Sequence, residues 1–221
     1  MARSTFDPSF NSLPDCLPIF PLPGCLLLPG GRLPLNIFEP RYLAMVSDAL
    51  CGPRLIGMLQ PRDGITAMGA PEVYRLGCAG RITTFSETDD GRYLITLDGL
   101  ARFRVAEEIA SAEGGYRRVR ADFSDFADDL DEQEADIDRP ALLATLRRFF
   151  DRQGINGDWD AIEQTGNEQL VTSLAMLCPF SASEKQALLE ATGLTERVAF
   201  MIAMLQLATY ERADEEQQPC H

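Results

Sequence analysis

Between Phe20 and Leu43 the chain reads FPLPGCLLLPGGRLPLNIFEPRYL, an apolar stretch in which a proline or a glycine pair recurs every few residues. That punctuation forbids a helix, since Pro21, Pro23, Pro29 and Pro34 would each remove a backbone donor and clash with the preceding turn. The spacing predicts short extended segments: CLPIFPL from Cys16, CLLL from Cys25, a turn at Pro29-Gly30-Gly31, and LPLNIF ending at Phe38, with prolines at strand ends or on unpaired edges. At Glu39-Pro40-Arg41 the pattern changes. Proline suits a first helical turn and an acid there suits the helix dipole, so a helix of about three turns is expected, with Leu43, Val46 and Leu50 on one face and an end near Cys51-Gly52-Pro53.

From Arg54 to Phe123 the periodicity is that of strands: RLIGMLQ, VYRLGCAGRITTFSET, YLITLDG, ARFRVAEEI and YRRVRADF, with Asp90-Gly91 as a hairpin turn. Gly77 and Gly80 fit close strand packing or a bulge. A twisted, barrel-like antiparallel sheet follows from this pattern. Nine carboxylates and no base occur between Asp122 and Asp138, which reads as a solvated linker; the spacing does not match a calcium loop. Beyond it the chain is helical. Asp138 caps a helix with the stripe Leu142, Leu146, Phe149 and Phe150, and DWDAIEQTG forms a short one. Leu170, Leu174, Leu177 and Cys178 mark a third helix, closed by Pro179. SASEKQALLEATG carries a capping box, either Ser181 with Glu184 or Ser183 with Gln186, and Gly193 is placed as its C-terminal cap. The last helix, Thr195 to Arg212, is apolar on all sides between Val198 and Leu205, which implies cover by other helices or by a partner.

The formal net charge of −14 over 221 residues repels phosphate backbones and anionic lipid, so nucleic acid is disfavoured as a partner. No apolar leader opens the chain, and the run Val198–Leu205 is far short of the roughly 20 residues a bilayer needs, so a soluble, cytoplasmic protein without membrane contact is expected. Cys16, Cys25, Cys51, Cys78 and Cys178 lie in apolar contexts and are read as reduced core thiols, with Cys220 in the tail. No C-x-x-C occurs and His221 is the sole histidine, so no metal site is expected.

Catalytic chemistry finds little to use. The glycines of PGGRLP and GCAGR lack the spacing and lysine of a nucleotide loop. Lys185, the one lysine, lies in the first turn of a helix, where a charge normally faces water, and His221 sits on the tail. The acids of the linker and of Asp89-Asp90 are expected in solvent, without the burial that raises a carboxyl pKa. Arg75, Arg81, Arg92, Arg102, Arg104, Arg117, Arg118 and Arg120 alternate with aromatics much as on a nucleic-acid sheet. Glu72, Glu87, Asp89, Asp90, Asp98, Glu107, Glu108 and Glu113 in the same span roughly neutralise them.

Taken in order, LPIFPLPGCLLLPGGRLPLNIFEPRYLAMV, GCAGRITTF, LDGLARFRV and SLAMLCPFSASEKQALLEATGLTERVAFMIAML resemble the N-terminal substrate-binding domain of the Lon protease family, from about Cys16 to Tyr210. The resemblance implies an α+β fold: a PUA-like β-barrel or sheet with one short helix, then a C-terminal helical bundle. On that basis we expect a flexible arm over 1–15, a β-rich subdomain over 16–124, an acidic linker over 125–138, a helical subdomain over 139–213 and a flexible tail over 214–221. Full-length Lon proteases continue into ATPase and peptidase modules, and this chain ends where those would begin. The resemblance therefore implies a stand-alone Lon-domain protein with no catalytic, cofactor or metal residue to carry over.

The expectation is a non-enzymatic module that binds protein or unfolded polypeptide segments, as an adaptor or client-binding protein, with a homo-oligomer left open. Its binding surface is assigned to Phe38, Tyr42, Phe85, Tyr93 and Phe103, and Glu39, Pro40 and Arg41 to a structural corner. RNA binding, as in other PUA-like barrels, and an uncharacterised hydrolase are the alternatives.

Overall fold

Proline sets the course of the first strands. Cys16–Pro21 (β1) ends on a proline, and Arg32–Ile37 (β2) carries Pro34 within it. The computed structural model describes residues 8–65, 71–131 and 135–215, with side chains except those of 63–65 and 210–215. Residues 1–7 of the expected arm, part of the expected linker, and residues 216–221 of the tail with Cys220 and His221 lie outside the described residues.

The helix announced by Pro40 is Pro40–Leu50 (α1), with Pro40 in its first turn. Its buried face is Tyr42, Met45, Val46 and Ala49, rotated from the expected one; Leu43 and Leu50 are only half-buried. Leu55–Leu59 (β3), Pro61–Ile65 (β4), Pro71–Val73 (β5), Leu76–Glu87 (β6), Tyr93–Ile109 (β7) and Arg118–Asp122 (β8) follow. The two strands expected on either side of Gly99 are one 17-residue strand, β7, and β4 was not foreseen. The hairpin at Asp90-Gly91 forms, Gly91 taking a φ of 78° and donating to the Thr88 carbonyl.

The sheet runs β2-β7-β6-β3-β1-β8, and β8 also pairs with β7, so five strands close into a hydrogen-bonded ring with β2 attached outside. It is not purely antiparallel. β1 pairs parallel with β3, register Ile19 to Gly57, because the chain between them includes α1 and returns by a crossover rather than a hairpin. Leu17, Ile19, Leu55, Leu59, Ala79, Phe103 and Val119 pack inside.

The segment CLLL is not a strand. Leu26, Leu27 and Leu28 are all buried, and just beyond them the backbone meets the sheet where Gly30 donates to the Gly99 carbonyl at 3.0 Å and Gly99 donates to that of Gly31 at 2.8 Å. Leu27 lies over Gly80 and Gly99, and a Cβ on Gly99 would stand 2.0 Å from the Leu28 carbonyl oxygen. The leucines thus plug the sheet instead of widening it. Gly80 has the close-packing role expected of it, beside an irregularity in the β6–β7 register, and a Cβ on Gly77 would meet Leu59 and Met58 at 2.5 Å.

The acid-rich stretch is also not a plain solvated linker. Ser124–Leu130 is a 3-10 helix whose Asp129 is buried on Arg102 of β7. The chain divides into two compact units, Met1–Glu132 and Gln133–His221.

The second unit contains Arg139–Gln153 (α2), Trp159–Gln164 (α3), Asn167–Leu177 (α4), Ala182–Glu190 (α5) and Leu194–Glu215 (α6). Asp138 caps α2 through the Ala141 amide at 3.0 Å, and Ser181 with Glu184 forms the capping box of α5. Gly193 is not the cap of α5, which ends at Glu190 with Ala191 as its cap; the Gly193 carbonyl accepts from the Arg197 amide and so opens α6. Leu194, Val198, Met201 and Leu205 bury one stripe of α6 in contact with α2, α4 and α5, while Phe200 and Leu207 remain exposed. Leu177, expected in the apolar stripe of α4, is 82% exposed. Among the described residues no helix is long and apolar enough to cross a membrane.

Candidate functional site

The first unit carries an open cleft of about 340 Å³ where the end of β1, the end of β2 and the start of α1 come together. Its walls are Phe20, Leu22, Leu35, Ile37, Phe38 and Tyr42, with the prolines 21, 23, 61 and 71. Prolines present ring carbons and no N–H, so this part of the wall offers a ligand apolar surface and few donors.

The aromatic floor follows from the local sequence. Proline at position 40 starts α1 immediately after β2, and Tyr42 in the first turn points back over β1, its ring centroid 4.2 Å from that of Phe20. Arg41 lies 4.5 Å above the Tyr42 ring and its Nε and Nη2 reach Glu39 Oε2 at 3.0 and 2.8 Å. The expected corner of Glu39, Pro40 and Arg41 is thus an ion pair across a helix start. Both partners are about half exposed, so the pair contributes only ~0–1 kcal/mol. Burial raises the pKa of Tyr42, with Glu39 adding to it and Arg41 and Arg117 opposing, so the hydroxyl is protonated at neutral pH.

Arg117 closes the far side. Its Nε and Nη2 donate to the two oxygens of Glu108 at 2.6 and 2.8 Å, and its Nη1 donates to the Pro71 carbonyl at 2.9 Å. This bidentate pair is mostly buried and holds the guanidinium plane in one orientation.

Of the five aromatics expected at the binding surface, Phe38, 64% exposed, and Tyr42 line the cleft. Phe85 and Tyr93 are not among its walls; they form an edge-to-face pair 5.0 Å apart, with the Tyr93 hydroxyl 3.4 Å from Ser47 Oγ. Phe103 is fully buried against Phe123 and the position of Gly57, so its assignment to a binding surface is corrected: it is core. Phe20 and Arg117 were not anticipated. Phe20 sits in the proline-rich entry motif, which was a usable signal, whereas nothing in the sequence set Arg117 apart from the other arginines.

Those arginines alternate with acids in space as well as in sequence. Arg92 pairs with Asp90, Arg104 with Asp125, Arg117 with Glu108 and Arg120 with Glu107, so acids and bases are not segregated on the sheet. Lys185, expected in water, is buried, and its charge partly offsets the burial that pushes the Cys178 thiol up to about 11. Cys78 and Cys178 are buried; Cys16 and Cys51 are exposed, contrary to the core reading. No group of three or more His, Cys, Asp or Glu able to hold a metal ion occurs among the described residues.

Residues 16–206 match the family model described as the ATP-dependent protease La (LON) substrate-binding domain. Lon protease 2 of Myxococcus xanthus is 28% identical over 204 residues, covering 88% of this chain and 24% of that protein. Lon protease of Anaeromyxobacter dehalogenans is 27% identical, covering 88% and 23%. The chain therefore spans about a quarter of the length of these curated relatives. Among solved structures, a Lon N-terminal domain protein from Xanthomonas campestris aligns with a TM-score of 0.59 at 24% identity, over 85% of this chain and 97% of that one. The N-terminal domain of the Mycobacterium avium complex Lon protease aligns at 0.57 and 16%, over 86% and 98%.

Proposed function

Because this chain belongs to the LON substrate-binding domain family, we propose that it is a non-catalytic module that grips extended, apolar polypeptide segments and serves as an adaptor or client-binding protein. The observation that supports this most directly is the aromatic and proline-walled cleft beside β2, which is the terminal strand of the sheet and, among the described residues, pairs only with β7. An extended segment laid along the outer edge of β2 gains main-chain hydrogen bonds, and its side chains gain burial in the cleft at ~1.5–3 kcal/mol for each large apolar group. Pro34 removes one donor from that edge, which limits pairing with other edges while leaving the cleft end open. The same reading takes the strand ring as the PUA-like part of the domain, α2–α6 as its helical bundle, and the cytoplasm as its location.

The test is binding of a fluorescently labelled, unfolded polypeptide such as a casein fragment. Micromolar binding that falls at least severalfold in Phe38→Asp is the expected outcome. Indifference of binding to Phe38→Asp removes the cleft from the proposal. Cleavage of casein by the purified chain, with or without ATP, would show a hydrolase instead.

A further inference from the structure

We propose that the cleft holds the carboxyl terminus of its polypeptide ligand, with an apolar terminal side chain among Phe20, Phe38 and Tyr42 and the free α-carboxylate on the Tyr42 hydroxyl and Arg117. This rests on the polypeptide-binding reading above and names which part of a polypeptide is held.

Tyr42 is 7% exposed and lines the cleft, yet among the described residues its hydroxyl makes no hydrogen bond. The hydroxyl is not among the buried atoms that lack a partner, so it is open to the cleft, whereas Tyr116 spends its hydroxyl on Asp48 at 2.7 Å. The Tyr42 hydroxyl is therefore a donor that a ligand in the cleft can reach. Arg117 adds further donors. Of the five N–H groups of a guanidinium, three are taken by Glu108 and Pro71, which leaves two. Glu108 is not on the cleft wall; it orients Arg117 from behind.

The ionic groups on the wall are Arg41, Arg117 and Glu39, and Glu39 is already engaged by Arg41. Counting the Glu108 that Arg117 holds, the charges at the wall balance, so the wall offers a ligand hydrogen-bond donors rather than net charge, on a chain whose formal net charge is −14. A ligand rich in acids is repelled by that overall field, whereas one carboxylate on an otherwise apolar segment matches the local donors. Geometry gives a direction. The cleft lies at the Ile37 end of β2, so a strand laid along β2 with its carboxyl end in the cleft runs parallel to it.

The test uses the unaltered 221-residue chain and fluorescence anisotropy with labelled apolar hexapeptides ending in phenylalanine. The arms are the free acid, the C-terminal amide, and an amide carrying one internal aspartate. The free acid is expected to bind roughly tenfold or more tightly than either amide. Tyr42→Phe, which keeps the ring, is expected to bring the acid down to the amide without changing the amide. Equal binding of acid and amide, or an internal aspartate as good as the terminus, overturns the carboxylate assignment while polypeptide binding stands. Binding of none of the peptides removes both.

Discussion

Asp129 accepts three hydrogen bonds from Arg102: from Nε at 2.8 Å, from Nη2 at 2.8 Å and from the backbone amide at 2.9 Å, with both side chains more than nine-tenths buried. Arg102 also lies 4.9 Å from the centroid of Phe126. One carboxylate from an acid-rich stretch thereby ties the Ser124–Leu130 turn to the middle of β7. Removing one partner of a buried pair strands the other charge, so Asp129→Ala is expected to cost about 3–5 kcal/mol in urea unfolding, and joint replacement of both residues by Leu and Met much less. A single-site loss below ~1 kcal/mol would mean that water reaches the pair.

Gly99 is expected to tolerate no side chain. A methyl there meets the Leu28 carbonyl oxygen, a backbone atom that cannot swing aside. Gly99→Ala should destabilise by at least the ~1–3 kcal/mol of overpacking. Gly193→Ala, where nothing lies within 4 Å, should stay within about 1 kcal/mol, and thermal melts of both variants check the contrast.

Tyr116 titrates late. Burial, and the hydrogen bond to Asp48, push its pKa up to about 12 from 10.0. Because the folded value is raised, the fold favours the neutral phenol; that stabilisation is complete below pH 10 and is lost as pH rises through about 12. Tyrosinate absorbance should show one group ionising near the upper end, absent in Tyr116→Phe, and that variant should lose ~0.5–1.5 kcal/mol at pH 7 with no further loss above pH 10 from this group.

Thiol reactivity should divide by burial. Cys178 is held as the thiol by burial that raises its pKa to about 11, and thiolate is the reactive form. At pH 8 iodoacetamide is expected to modify Cys16 and Cys51 in the native chain and to reach Cys78 and Cys178 only after denaturation, as read by mass spectrometry. Prompt labelling of Cys178 would place it at a mobile surface.

Local chemistry was legible. Pro40 starts a helix because its fixed φ and missing N–H suit a first turn, Asp90-Gly91 turns a hairpin because Gly91 accepts a positive φ, and the Ser181–Glu184 box satisfies two amides that no helical bond can reach. Each of these signals acts within a few residues. Part of the cleft was legible as well, since Phe38 and Tyr42 flank the Pro40 signal.

The remainder depended on residues distant in the chain. Three adjacent leucines look alike whether they form a strand or plug a sheet; Gly80 and Gly99, dozens of residues away, decide for the plug. Asp129 reads like its acidic neighbours until Arg102 is opposite it. Arg117 reads like other arginines until Glu108 and Pro71 fix it at the cleft.

By itself the amino-acid order determined where the backbone must turn, start a helix or stay extended, and which half of the chain is strand and which helix, because proline, glycine and capping side chains act on their own few φ and ψ angles. Tertiary structure alone decided which strands are neighbours, which charges are buried and which aromatic rings line the cleft, because burial and electrostatic pairing depend on distances in space that chain order does not specify.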